Sequence, residues 1–193
     1  MKVVSNLTRN VKAICVGIAI ALLVAACVPE TVHPLSDPAS AKIDTRLSGL
    51  WSGNIGESFV FAHFLPKGDG EMEIVTVARE KDESAHWSVF SMFPSRVAGN
   101  DYMNVKLLVD DGRPQDQDDQ GFVLCRYEVD GDGGLTVWRI DEAAAIADIE
   151  QGKVGGKVRR GKWTTNVRIT APTAELGPYV AAADPKRLFA DLV

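Results

Sequence analysis

Thiols, imidazoles and clustered carboxylates are the side chains that could act chemically, and this chain spaces them apart. Its cysteines are Cys15, Cys27 and Cys125, and its histidines are His33, His63 and His86. No Glu-x-x-His or Cys-x-x-Cys spacing accompanies them, so local sequence assembles neither a metal site nor a general base. His33 lies in a proline-rich stretch and is expected to be solvated; His63 and His86 fall on apolar runs, where a core or rim place is expected. The acidic run "DDGRPQDQDDQG", residues 110–121, offers calcium-type ligands at Asp116, Asp118 and Gln120. Tyr127, however, stands where a calcium loop needs its closing bidentate carboxylate. A loop counted from Asp130 places Gly134 and Leu135 at its fifth and sixth positions, so both stretches read as solvated hairpin loops and no metal is expected. Ser52, in Leu50-Trp51-Ser52-Gly53-Asn54, lacks the glycine framing of a nucleophile elbow. The glycines at 152–156 lack the Lys-Ser/Thr of a phosphate loop. No cofactor and no enzymatic activity are expected. One basic group, Lys157, Arg159, Arg160 and Lys162, reads as a solvated turn that could contact an anionic envelope polymer or lipid headgroup.

Cys27 differs from the other thiols because of what precedes it. Lys2, Arg9 and Lys12 come first, with no acidic residue, followed by 14 apolar residues from Ala13 to Ala26. Spanning a bilayer takes about 20 such residues. The layout of basic region, short apolar region and small residues is that of a signal peptide or a short uncleaved anchor. Val24-Ala25-Ala26-Cys27 resembles the bacterial lipobox. That resemblance implies cleavage before Cys27, a diacylglycerol thioether on its sulfur, and acyl chains as the membrane attachment. Each buried methylene contributes about 0.8 kcal/mol, and two or more chains hold stably where one holds marginally. Residue 28 is Val rather than Asp, which by the sorting rule of Gram-negative lipoproteins implies, for a Gram-negative host, the periplasmic face of the outer membrane.

Loss of residues 1–26 leaves 18 Lys and Arg against 26 Asp and Glu, a formal charge of −8. Nucleic acid, whose phosphates require a basic face, is therefore not an expected partner. Hydrophobic residues make up 46% of the chain, enough to build one domain with a core. With Cys15 removed and Cys27 lipidated, Cys125 is left without an intramolecular disulfide partner. In "GFVLCRYEV" alternation places it beside Val123, Tyr127 and Val129, and a buried, inert thiol is expected.

These residues need a scaffold. Residues 27–44, from the lipidated cysteine through Pro29, Pro34 and Pro38, read as an extended tether, and residues 45–193 as a single β-rich domain. Strands are expected at 49–54, 58–65, 71–79, 86–93, 102–109, 122–129, 135–140 and 163–171, separated by turn-forming residues. Helices are expected at 140–152, capped by Asp141, and after the pair Asp184-Pro185, which would bury Leu188, Phe189 and Leu192. About eight short strands imply a mainly β fold, an antiparallel barrel or sandwich closed or nearly so, with short helices near the C-terminus. Gly49-x-Trp51 on the first of these strands resembles the opening of a lipocalin or calycin barrel. The resemblance implies a barrel-closing role for Trp51, with Arg168 packed over its indole. Such a barrel can hold one small ligand or fill itself with side chains. The expected function is that of a membrane-anchored, non-enzymatic envelope lipoprotein that binds a small apolar or amphipathic ligand. The alternative is a structural or assembly protein that docks on another envelope protein without a ligand.

Overall fold

β-Branched and aromatic runs become strands wherever turn residues let the chain reverse. A computed structural model describes residues 28–55 and 58–192. Its strands are β1 (Glu30–Thr31), β2 (Gly49–Ile55), β3 (Ser58–Gly68), β4 (Glu71–Arg79), β5 (Ala85–Val97), β6 (Asn100–Asp110), β7 (Arg113–Pro114), β8 (Phe122–Val129), β9 (Leu135–Arg139), β10 (Gly156–Arg160), β11 (Thr165–Ile169) and β12 (Asp191–Leu192). The helices are α1 (Glu142–Glu150), α2 (Thr173–Ala182) and α3 (Pro185–Leu188). The protein is thus mainly β with short helices near its C-terminus, and all eight expected runs contribute strands. Tight reversals at Asp69-Gly70, Ala98-Gly99 and Asp111-Gly112 place both residues of each pair at positive φ. That is the backbone a two-residue hairpin turn requires, since it matches the twist of the flanking strands.

The strand order is β10-β11-β1-β8-β6-β5-β4-β3-β2, antiparallel apart from β1 beside β11. The expected closure into a barrel does not occur: among the described residues the sheet is open, with β10 and β2 at the two ends of its main path, while β7 beside β6 and the pair β9–β12 beside β8 branch off it. The reason lies in how each face is covered. On one face, Tyr102, Leu124, Val167 and Ile169 pack under Ala145 of α1, Leu176 and Val180 of α2, and Leu188 and Phe189 around α3. On the other, Phe64, Met72, Ile74, Met92, Met103, Cys125 and Tyr127 close around Leu47, with Trp51 packed against them. The chain's own segments fill both sides, so apolar burial does not depend on joining the edges.

A second correction concerns the tether. The segment expected to hang free from residue 28 to 44 is docked. β1 inserts between β8 and β11, and Val32 N donates to Ile169 O at 2.9 Å. Leu35 is 2% exposed within the helix-covered core. Its backbone N–H donates to Asn104 Oδ1 (2.7 Å), whose Nδ2 in turn donates to Ser95 Oγ (2.7 Å) and Phe93 O (3.2 Å). A polar side chain can be buried at this depth because its hydrogen-bonding groups find partners. Further along, a Cβ on Gly70 would lie 2.4 Å from Ala41 O, so glycine is what lets the segment cross the β3–β4 turn. Proline-rich composition suggests an extended chain; the segment is instead strand at Glu30–Thr31, turns through a 3-10 helix at Pro38–Ser40, and lies against the sheet.

The helix signals largely stand. Asp141 caps α1, its carboxylate accepting from Ala144 N at 2.7 Å. Asp184 caps α3 in the same manner through Lys186 N (3.0 Å), and Leu188 and Phe189 are buried. That helix ends early, and Asp191–Leu192 pairs with β9 instead. Asp148 of α1, 0% exposed, accepts from Tyr179 Oη (2.8 Å), Lys153 Nζ (3.1 Å) and Arg187. Burial pushes this carboxyl upward, but the three donors more than offset it and hold it below the ordinary carboxylate range. One ionised side chain thereby fastens all three helices to one another.

Candidate functional site

Strand pairing decides which apolar residues are left outside. The registers align Leu50, His63, Val75 and Val89 in one row across β2 to β5, and Ser52, Phe61, Val77 and Trp87 in the next. These rows continue the face that the helices cover further along the sheet, beyond the reach of that cover. Leu50 is 67% exposed, and Phe59, Phe61, Val77 and Trp87 are each at least 40% exposed. Phe59 and Phe61 meet edge to face with centroids 5.1 Å apart. Single exposed hydrophobic residues are commonplace, whereas a contiguous set on one sheet face marks an interaction surface.

The adjoining edge is equally open. β2, "GLWSGNI", contains no charged residue and no proline. Edge strands usually carry such groups, because bare N–H and C=O groups invite another strand to pair. β10, the opposite edge, carries Lys157, Arg159 and Arg160. Of these two ends of the described sheet, β2 is the one that combines an unguarded backbone with an apolar face.

Trp51 and Arg168 do not meet in the expected way. Trp51 Nε1 donates to Leu47 O at 2.7 Å, and its indole packs on the inner core. Arg168, on β11, donates from Nη2 to Asp119 O (2.7 Å) and from Nη1 to Asp119 Oδ1 (3.1 Å). Because the sheet stays open, β2 and β11 lie far apart in strand order and the guanidinium is bound elsewhere. An arginine over an indole does occur, at Arg126 and Trp138 on the paired strands β8 and β9, 4.4 Å to the ring centroid.

Cys27, the expected lipid attachment, lies outside the described residues. Cys125 is buried on the face alternation assigned to it, beside Tyr127. His33, His63 and His86 are all exposed. His86 Nδ1 lies 2.7 Å from Asp111 Oδ2, a hydrogen bond that raises the imidazole above its ordinary value and lowers the carboxyl. Among the described residues no three His, Cys, Asp or Glu side chains are grouped to hold a metal ion, and no helix is long and apolar enough to cross a membrane. Lys157, Arg159 and Arg168 line a cavity of about 290 Å³ with Asp119, Asn166 and Thr170; of the basic group, Lys157, Arg159 and Arg160 lie on β10 and Lys162 in the turn that follows it.

The bare apolar face was missed in the sequence although its residues were not. The runs at 58–65 and 86–93 are apolar on both sides, the composition of a covered strand, yet the cover stops short of them. These features together define a class: an open antiparallel sheet, backed by helices over part of one face and bare over the rest. No family model, curated protein or solved structure matches the chain.

Proposed function

We propose that this chain is a non-enzymatic, lipid-anchored protein of the cell envelope that serves as a docking module. On this reading, acyl chains on Cys27 hold it at the periplasmic face of the outer membrane. A partner envelope protein adds a strand to β2 and covers Leu50, Phe61, Val77 and Trp87. Strand addition supplies main-chain hydrogen bonds along the edge, and the side-chain rows supply selectivity.

The observation that carries the reading is the coincidence of an uncharged edge strand with exposed apolar rows beside it. The competing role, a carrier of a small apolar ligand, is less well supported because the core on the face away from the helices is filled by the chain's own side chains, Leu47 and Tyr127 buried in it and Trp51 packed against it. A photo-crosslinking residue placed at Ser52, exposed on β2, is expected to capture one envelope protein in cells. A second substitution, Asn54→Pro, is expected to abolish that capture. A crosslink unaffected by the proline, or a small molecule released on denaturing the chain in native mass spectrometry, would overturn the docking role.

A further inference from the structure

The β10–β11 hairpin has features that the docking face leaves unexplained. Its tip holds Trp163, 84% exposed, with Lys162 Nζ 4.9 Å from the ring centroid. Below the tip, register places Lys157 beside Arg168 and Arg159 beside Asn166 on one face. Arg160 is paired with Glu150 and Arg168 with Asp119. Lys157, Arg159 and Lys162 form no ion pair with any described carboxylate. A solvated turn accounts for the lysines, but it leaves the largest apolar side chain of the hairpin in water.

Chain direction relates this hairpin to the N-terminus. β1 runs parallel to β11, with Glu30 beside Arg168 and Thr31 beside Ile169. The chain preceding Glu30 therefore heads along β11 toward Thr165, the end at which the hairpin tip lies. Cys27 is three residues before Glu30, and three residues of extended chain reach at most about 10 Å. Because the expected tether is docked in the sheet, the lipid has no long spacer: it must enter the bilayer close to this hairpin.

We infer that the β10–β11 hairpin rests on the bilayer surface, with Trp163 at headgroup depth and Lys157, Arg159 and Lys162 facing anionic lipid phosphates. This inference rests on the anchoring at Cys27. Indole favours the interface because its ring is apolar while its N–H needs a polar partner. Each cation close to an anionic leaflet contributes about 1 kcal/mol. In a chain whose net charge is otherwise negative, this hairpin is the surface an anionic membrane would attract. Orientation follows, since β2 lies at the other end of the strand order and its edge remains available to a protein partner.

The test uses the full chain, purified from membranes and reconstituted into vesicles of phosphatidylcholine with phosphatidylglycerol, some acyl chains brominated. Tryptophan emission is expected to be quenched, and Trp163→Phe, at an exposed position, is expected to remove the larger part of that quenching. The triple variant Lys157→Ala, Arg159→Ala, Lys162→Ala is expected to need more phosphatidylglycerol to reach the same quenching. A chain that floats with the vesicles, with quenching unchanged by Trp163→Phe, overturns the hairpin contact and leaves the anchor standing. A chain whose mass lacks the diacylglycerol and which stays off the vesicles overturns the anchor, and the hairpin contact with it.

Discussion

Leu35→Ala separates a docked N-terminal segment from a free tether. Leu35 is 2% exposed and packs in the core beneath the helices, with its backbone N–H fixed on Asn104. Truncating a buried leucine costs about 2–5 kcal/mol, the upper values applying where the cavity cannot collapse. Here the sheet and the helices hold the walls apart, so about 3 kcal/mol is expected. For a domain of this size each kcal/mol shifts Tm by about 2–4 °C, giving a fall of about 6–12 °C. Circular dichroism melts of matched wild-type and variant chains, checked by urea unfolding, would measure it. Were residues 28–44 a solvated tether, the substitution would leave Tm unchanged. A shift within experimental error would therefore refute the docking of the N-terminal segment and, with it, the proposed closeness of a lipid on Cys27 to the hairpin.

Trp51→Ala is expected to cost about 3 kcal/mol, the lower end for a large aromatic because the indole is only half-buried, and urea unfolding would read it. Asp148→Ala leaves Arg187, Lys153 and Tyr179 without their shared acceptor; both cations remain open to solvent, so the expected loss of stability in the same assay is that of the hydrogen bonds to the carboxylate, about 1–3 kcal/mol. Acid titration should trace the same carboxyl. Arg46 hydrogen bonds hold Asp44 below the ordinary carboxylate range, and three donors hold Asp148 there against burial. Both groups therefore stabilise the fold above the unfolded carboxyl value of about 3.9, and that contribution is lost as pH falls through their lower folded values. Asp148→Ala is expected to flatten this acid slope; an unchanged slope would remove Asp148 from the account. Cys27→Ser is expected to prevent lipid attachment and to release the chain from membranes or leave it unprocessed, read by mass and fractionation. Unchanged mass and processing would sink the lipobox reading.

The strands were legible because alternation and turn residues are local. "FVLCRYEV" assigns Cys125 and Tyr127 to one face without reference to any other strand, and the core agrees. Asp141 and Asp184 announced their helices because a cap acts within three residues. β10 was hidden because Gly156 and the basic residues that follow it look like a turn, and only pairing with β11 makes it a strand. The bare apolar face was hidden for a related reason: Phe61, Val77 and Trp87 have the composition of a covered strand, and composition does not say how far the cover extends.

By itself the sequence determined the β class, the faces of individual strands, the helix caps and the lipobox resemblance at Cys27, all set by neighbours a few residues apart. Tertiary structure alone decided that the sheet stays open, that the proline-rich segment is docked, that Arg168 binds Asp119 rather than covering Trp51, and that one apolar face is left bare. Each of these depends on competition between distant segments for the same apolar surface. Leu35, Leu47 and the C-terminal helices cover what closure of a barrel would otherwise have covered.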